Sequence, residues 1–86
     1  MSSDQQRSYR QILAAVMQRY RLTGTYTVSP WGPDHETKWT CTFKYNEQVI
    51  GQSPQCNTKA EAKEAAAWTA LTWLAAQGFD VSYALS

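Results

Sequence analysis

Tyr9, Ile12, Leu13, Val16 and Tyr20 follow one another at intervals of three and four over residues 8–20, with no Gly or Pro between them. That spacing predicts an amphipathic helix with one apolar stripe. Its other face carries Gln11, Ala14, Ala15 and Gln18, small or amide side chains suited to lie against something shallow. From Lys38 to Tyr45 the period changes to two, with Trp39, Cys41, Phe43 and Tyr45 on one side and Lys38, Thr40, Thr42 and Lys44 on the other. This is the clearest strand in the chain. Residues 26–28 alternate as a shorter strand after Gly24. Residues 29–35, with two prolines and a glycine, then predict a loop. Asn46-Glu47 makes a tight connection to a third strand, Gln48–Gln52, which Pro54 prevents from running on. Connections this short make the sheet antiparallel.

The second helix has the stronger start signal. Thr58-Lys-Ala-Glu61 fits a capping box, in which Thr58 and Glu61 satisfy reciprocal backbone donors. Residues 59–77 continue, alanine-rich and unbroken, until Gly78. An alanine face lets the helix axis approach a sheet closely, while Leu71, Trp73 and Leu74 fill volume further along. The order helix, three strands, helix predicts an α+β fold of αβββα type, with two helices on one face of a three-stranded antiparallel sheet. One domain is expected over residues 8–78, with a flexible N-terminus at 1–7 and a short tail at 79–86.

Composition narrows the function classes. With 86 residues and 43% hydrophobic side chains, the chain supports one core. Its formal net charge is only +1, so any surface that recruits a polyanion has to be local. There is no run of 18 apolar residues and no apolar signal core near the N-terminus. The expectation is a soluble protein inside the cell, cytoplasmic or nuclear, with no membrane partner. Two cysteines, Cys41 and Cys56, lack metal-ligand spacing and are too few for a disulfide framework, so a structural role is expected. A lone histidine, no Gly-rich phosphate cradle and no paired carboxylates on a common face argue against an enzyme, a metal or a cofactor.

Three segments carry a resemblance. The loop Gly32-Pro33-Asp34-His35 resembles the Gly-Pro-x-His loop of double-stranded RNA-binding domains. The run from Thr58 to Ala67 is similar to that family's basic second-helix signature, and Ile12, Leu13 and Val16 to its first-helix core pattern. The resemblance spans residues 8–78 and implies sequence-independent binding of A-form duplex RNA. Such recognition touches two shallow minor grooves and the phosphates between them. Carried over, it implies three patches: Gln11 and Gln18 with Arg7 as an accessory; His35 with Pro33 and Asp34; and Lys59 with Lys63. The lysines are four apart at a helix N-terminus, whose dipole also favours phosphate.

This chain departs from the family pattern in three places. Ala60 stands where a third basic residue is usual, Ala14 and Ala15 where an acidic or amide pair is common, and residues 53–57 replace the usual glycines before the basic helix. The departures keep a second class open, a protein-interaction or dimerisation module using the third-strand edge at Gln48, Val49 and Ile50. Trp31 and Trp68 are the tryptophans least accounted for by the core, and exposed tryptophans are enriched at interfaces.

Overall fold

A computed structural model describes residues 8–82. Helix α1 spans Tyr9–Arg19, strands β1, β2 and β3 span Gly24–Trp31, Lys38–Tyr45 and Gln48–Gln52, and helix α2 spans Lys59–Ala76. The strands form one antiparallel sheet in the order β1-β2-β3, which is the expected αβββα arrangement.

The first helix begins with a reciprocal capping box that the sequence reading placed only on the second. Ser8 Oγ accepts from the Gln11 N–H at 3.1 Å, and Gln11 Oε1 accepts from the Ser8 N–H at 3.0 Å. At α2 the expected box is only half formed. Thr58 Oγ1 accepts from the Glu61 N–H, but the Glu61 carboxylate reaches past Thr58 to the Asn57 N–H, each at 3.1 Å. Both helices end the same way. The Leu22 N–H bonds back to the Met17 carbonyl and the Phe79 N–H to that of Leu74, with Arg21 at φ 58° and Gly78 at φ 98° in the left-handed position. Arg21 occupies a conformation that glycine adopts without strain.

Strand β1 is longer than the three residues expected. It pairs with the whole of β2, from Gly24 opposite Tyr45 to Trp31 opposite Lys38. Pro30 is tolerated within it because β1 is an edge strand, where a missing N–H need not break a ladder. Between β2 and β3 the register shifts at Phe43/Lys44. Ile50 thereby turns into the core while Val49 stays exposed.

The core lies between the inner face of the sheet and the two helices. Ile12, Leu13, Val16 and Met17 of α1 meet Phe43, Ile50, Leu71 and Leu74, each large side chain contributing about 1.5–3 kcal/mol by burial. Met17 joins this stripe, whereas Tyr9 stays exposed and packs its ring on Trp68 at 4.9 Å. Ala62, Ala66, Ala67 and Ala70 of α2 are completely buried. The approach is so close that a Cβ on Gly51 would strike the backbone of α2 at Ala66 and Ala70. Beyond α2, Phe79 packs edge-on against Tyr20, and Tyr20 Oη accepts from the Asp80 N–H at 2.9 Å.

Candidate nucleic-acid interface

At the start of α2, Lys59 is exposed and Lys63 half-buried. Neither ammonium is within ion-pair distance of a carboxylate among the described residues. Lys59 Nζ lies 4.7 Å from the centre of the Trp39 ring, a contact that leaves its N–H groups available. Lys63 leans toward the sheet, where its charge opposes a rise in the Cys41 thiol pKa that burial drives. Burial also pushes the Tyr26 hydroxyl up to about 12, with Cys41 reinforcing the shift. Glu64 does not neutralise these lysines by pairing. Its carboxylate accepts from the Tyr9 and Arg10 N–H groups at 3.2 and 2.9 Å and lies 3.5 Å from Arg10 Nε. An acid of α2 therefore anchors the first turn of α1, where the helix dipole favours negative charge.

The loop between β1 and β2 is built around one turn of 3₁₀ helix, Asp34–Glu36. Gly32 enters it at φ 86°. The Pro33 carbonyl accepts from the Glu36 N–H at 2.9 Å and from Thr37 Oγ1 at 3.3 Å. The Asp34 carbonyl also accepts from Thr37 Oγ1, at 3.1 Å, so both carbonyls are occupied within the loop. His35 is exposed between the exposed acids Asp34 and Glu36. On α1, Gln11, Ala14 and Gln18 are exposed. The Gln11 oxygen is committed to its capping box, leaving the amide NH₂ as a donor. Arg7 lies outside the described residues.

Short links join these groups. The N-terminal turn of α1 is held to Glu64, next to Lys63 and little more than a turn along from Lys59. Ahead of Lys59, Cys56 pairs with Trp39 as an isolated bridge, and Asn57 Oδ1 accepts from Lys38 Nζ at 2.6 Å. Lys38 in turn follows the His35 loop. Gln11, Lys63, Lys59, Lys38 and His35 thus form one connected series across the helix N-termini. Gln18 stands apart, lining a groove of about 420 Å³ between α1 and β1. Lys38 was not among the sequence-derived candidates. Alternation put it on the polar face of β2, and nothing in the pattern revealed that residues 56–57 return beside it.

No helix among the described residues is long and apolar enough to cross a membrane. Nor do any three His, Cys, Asp or Glu side chains among them gather as metal ligands.

Two helices on one face of a three-stranded antiparallel sheet, with cations at a helix start beside an exposed loop, define a small α+β domain of αβββα type. The chain belongs to the double-stranded RNA binding motif family, whose model matches residues 9–74. Among solved structures, it is similar to the first dsRBD of the protein HYL1, at 25% identity and a TM-score of 0.68, over 77% of this chain and 94% of that one. A structure of Arabidopsis HYL1, studied for miRNA processing, gives 24% identity and a TM-score of 0.71 over 80% and 99% of the two chains. The paired dsRBDs of DRB4 give 24% identity and 0.62, covering 76% of this chain and 42% of that one. No curated protein matches the chain.

Proposed function

We propose that this domain is a non-catalytic binder of A-form double-stranded RNA that reads shape and phosphates rather than sequence. The observation that supports the reading is the connected series from Gln11 through Lys63, Lys59 and Lys38 to His35, five side chains that carry donors suited to phosphate and 2′-hydroxyl groups and are joined by short links. Lys59, Lys63 and Lys38 supply phosphate contacts, assisted by the N-terminal dipole of α2. His35 and the amide of Gln11 face hydroxyl-bearing minor grooves on either side. Pro33 and Asp34 shape the loop that carries His35, and Gln18 extends the α1 contact.

The test is a double substitution, Lys59→Ala with Lys63→Ala, read by titration of RNA duplexes of about 20 base pairs, longer than the roughly 16 that such folds span. Binding to every duplex sequence should weaken alike, and the slope of log K against log salt should shrink by about 1.4–1.8. Unchanged affinity and slope reject the clamp.

A second reading rests on the other flank. Gln48–Gln52 is an edge strand with no charged residue, Val49 is exposed, and exposed Trp68 stands near it on α2. An unprotected edge of this kind suits pairing with a second chain, and sedimentation at micromolar concentration separates a monomer from a dimer.

A further inference from the structure

Trp31 closes β1 and is 52% exposed. Its side chain points to the outer face of the sheet, away from the helices, where Nε1 donates to Thr40 Oγ1 at 2.7 Å. That bond uses the ring's only polar atom and holds the indole in place. No other aromatic ring or cation covers it among the described residues. A ring already fixed loses little freedom when a flat ligand stacks on it.

Beside it opens a groove of about 720 Å³, lined also by His35, Glu36, Lys38 and Gln55, within the range of small-ligand sites. Lys38 makes one hydrogen bond, to Asn57, and keeps two N–H donors. Gln55 offers both a donor and an acceptor, and Glu36 accepts from amino groups. A fixed aromatic surface, a cation for phosphate and polar groups for a base edge are what sites for single-stranded nucleic acid combine. An apolar peptide would leave the lysine and the carboxylate uncompensated.

We propose that this groove takes an unpaired nucleotide continuing from one strand of a bound duplex, with its base on Trp31 and the phosphate that joins it to the duplex on Lys38, the same contact counted for the duplex. The proposal rests on the duplex reading, because the His35 loop that forms one wall is the loop assigned there to a minor groove. It adds a preference for duplexes with single-stranded extensions over blunt ones.

Fluorescence anisotropy with the full chain tests it. Three labelled RNAs of about 20 base pairs are compared at fixed salt: blunt, with 3′ tails, and with 5′ tails of about four adenosines. A base–aromatic stack is worth roughly fivefold in affinity or more, so one tailed duplex should bind at least about fivefold tighter than the blunt one. Trp31→Ala should abolish that increment and leave blunt-duplex affinity unchanged, while Trp31→Phe should keep most of it. Equal affinity of wild type for all three RNAs overturns the proposal, as does an increment that survives Trp31→Ala. If the blunt duplex does not bind, the duplex reading fails by itself. Trp31-dependent binding of the single-stranded adenosine oligonucleotide would then still support the groove, and its absence would overturn it.

Discussion

Glu64 is the residue through which α2 fixes the start of α1, and its loss can be worked out from the contacts. Its carboxylate accepts two backbone N–H bonds, at 3.2 Å from Tyr9 and 2.9 Å from Arg10. It also lies 3.5 Å from Arg10 Nε, with the two side chains 32% and 41% exposed. Hydrogen bonds to a charged group contribute about 1.5–3 kcal/mol when well shielded. At this exposure roughly 1 kcal/mol each is the appropriate figure, and the ion pair adds at most about 0.5 kcal/mol. Glu64→Ala should therefore cost about 2 kcal/mol. With a urea m-value of about 1 kcal/mol/M for so small a domain, the midpoint falls by about 2 M. Glu64→Gln retains one acceptor without the charge and should lie near half that loss. Amide exchange adds a local reading, since the N–H groups of Tyr9 and Arg10 should lose protection in Glu64→Ala more than those of β2. If Ala and Gln both leave the midpoint within about 0.5 M of wild type, the carboxylate is not the anchor of α1.

Two further predictions follow from backbone and burial. Arg21 at φ 58° and Glu47 at φ 65° hold left-handed conformations that disfavour a side chain, so Arg21→Gly and Glu47→Gly should each stabilise by about 0.5–1 kcal/mol in urea denaturation; destabilisation by either would contradict the helix-end or turn assignment. Tyr26 retains its proton in the folded state up to about 12, against the ordinary 10. Its contribution is therefore complete below pH 10 and is lost as pH rises toward 12, because the unfolded chain ionises first. Tyr26→Phe should flatten the fall in stability between those values, measured as urea midpoint against pH, and an equally steep fall in the variant would refute the cause.

Elements whose signal is local were readable from the chain. The alternation of Trp39, Cys41, Phe43 and Tyr45 marked β2, and Gly78 marked the end of α2 because glycine suits the left-handed cap. Arg21 ends α1 by the same geometry but carries no such mark in the sequence, and the first glycine after the helix, Gly24, begins β1. Residues 29–31 read as loop because Pro30 sits among turn formers; pairing with the far end of β2 decides otherwise, and pairing is not local. The candidate site divides in the same way. Lys59 and Lys63 could be placed from helical spacing alone. Lys38 belongs beside them only because residues 56–57 cross back over the start of β2, and the commitment of Glu64 to α1 depends on how the two helices meet.

That geometry bears on how a chain of net charge +1 would hold a polyanion. If Lys38, Lys59 and Lys63 are its phosphate contacts, three released counterions give a salt slope of about −2 to −3. Raising salt from 50 to 200 mM then costs only about 20- to 50-fold, where a protein with six to ten contacts loses roughly 10³–10⁵. Most of the affinity remaining at high salt would have to come from groups that salt does not screen, the Gln11 amide and the His35 loop against 2′-hydroxyls. The ratio of RNA-duplex to DNA-duplex affinity should therefore hold constant as salt rises while both affinities fall, because the electrostatic share common to both cancels from the ratio. A slope much steeper than −3, or discrimination that collapses with salt, would show that binding runs through cations outside this series.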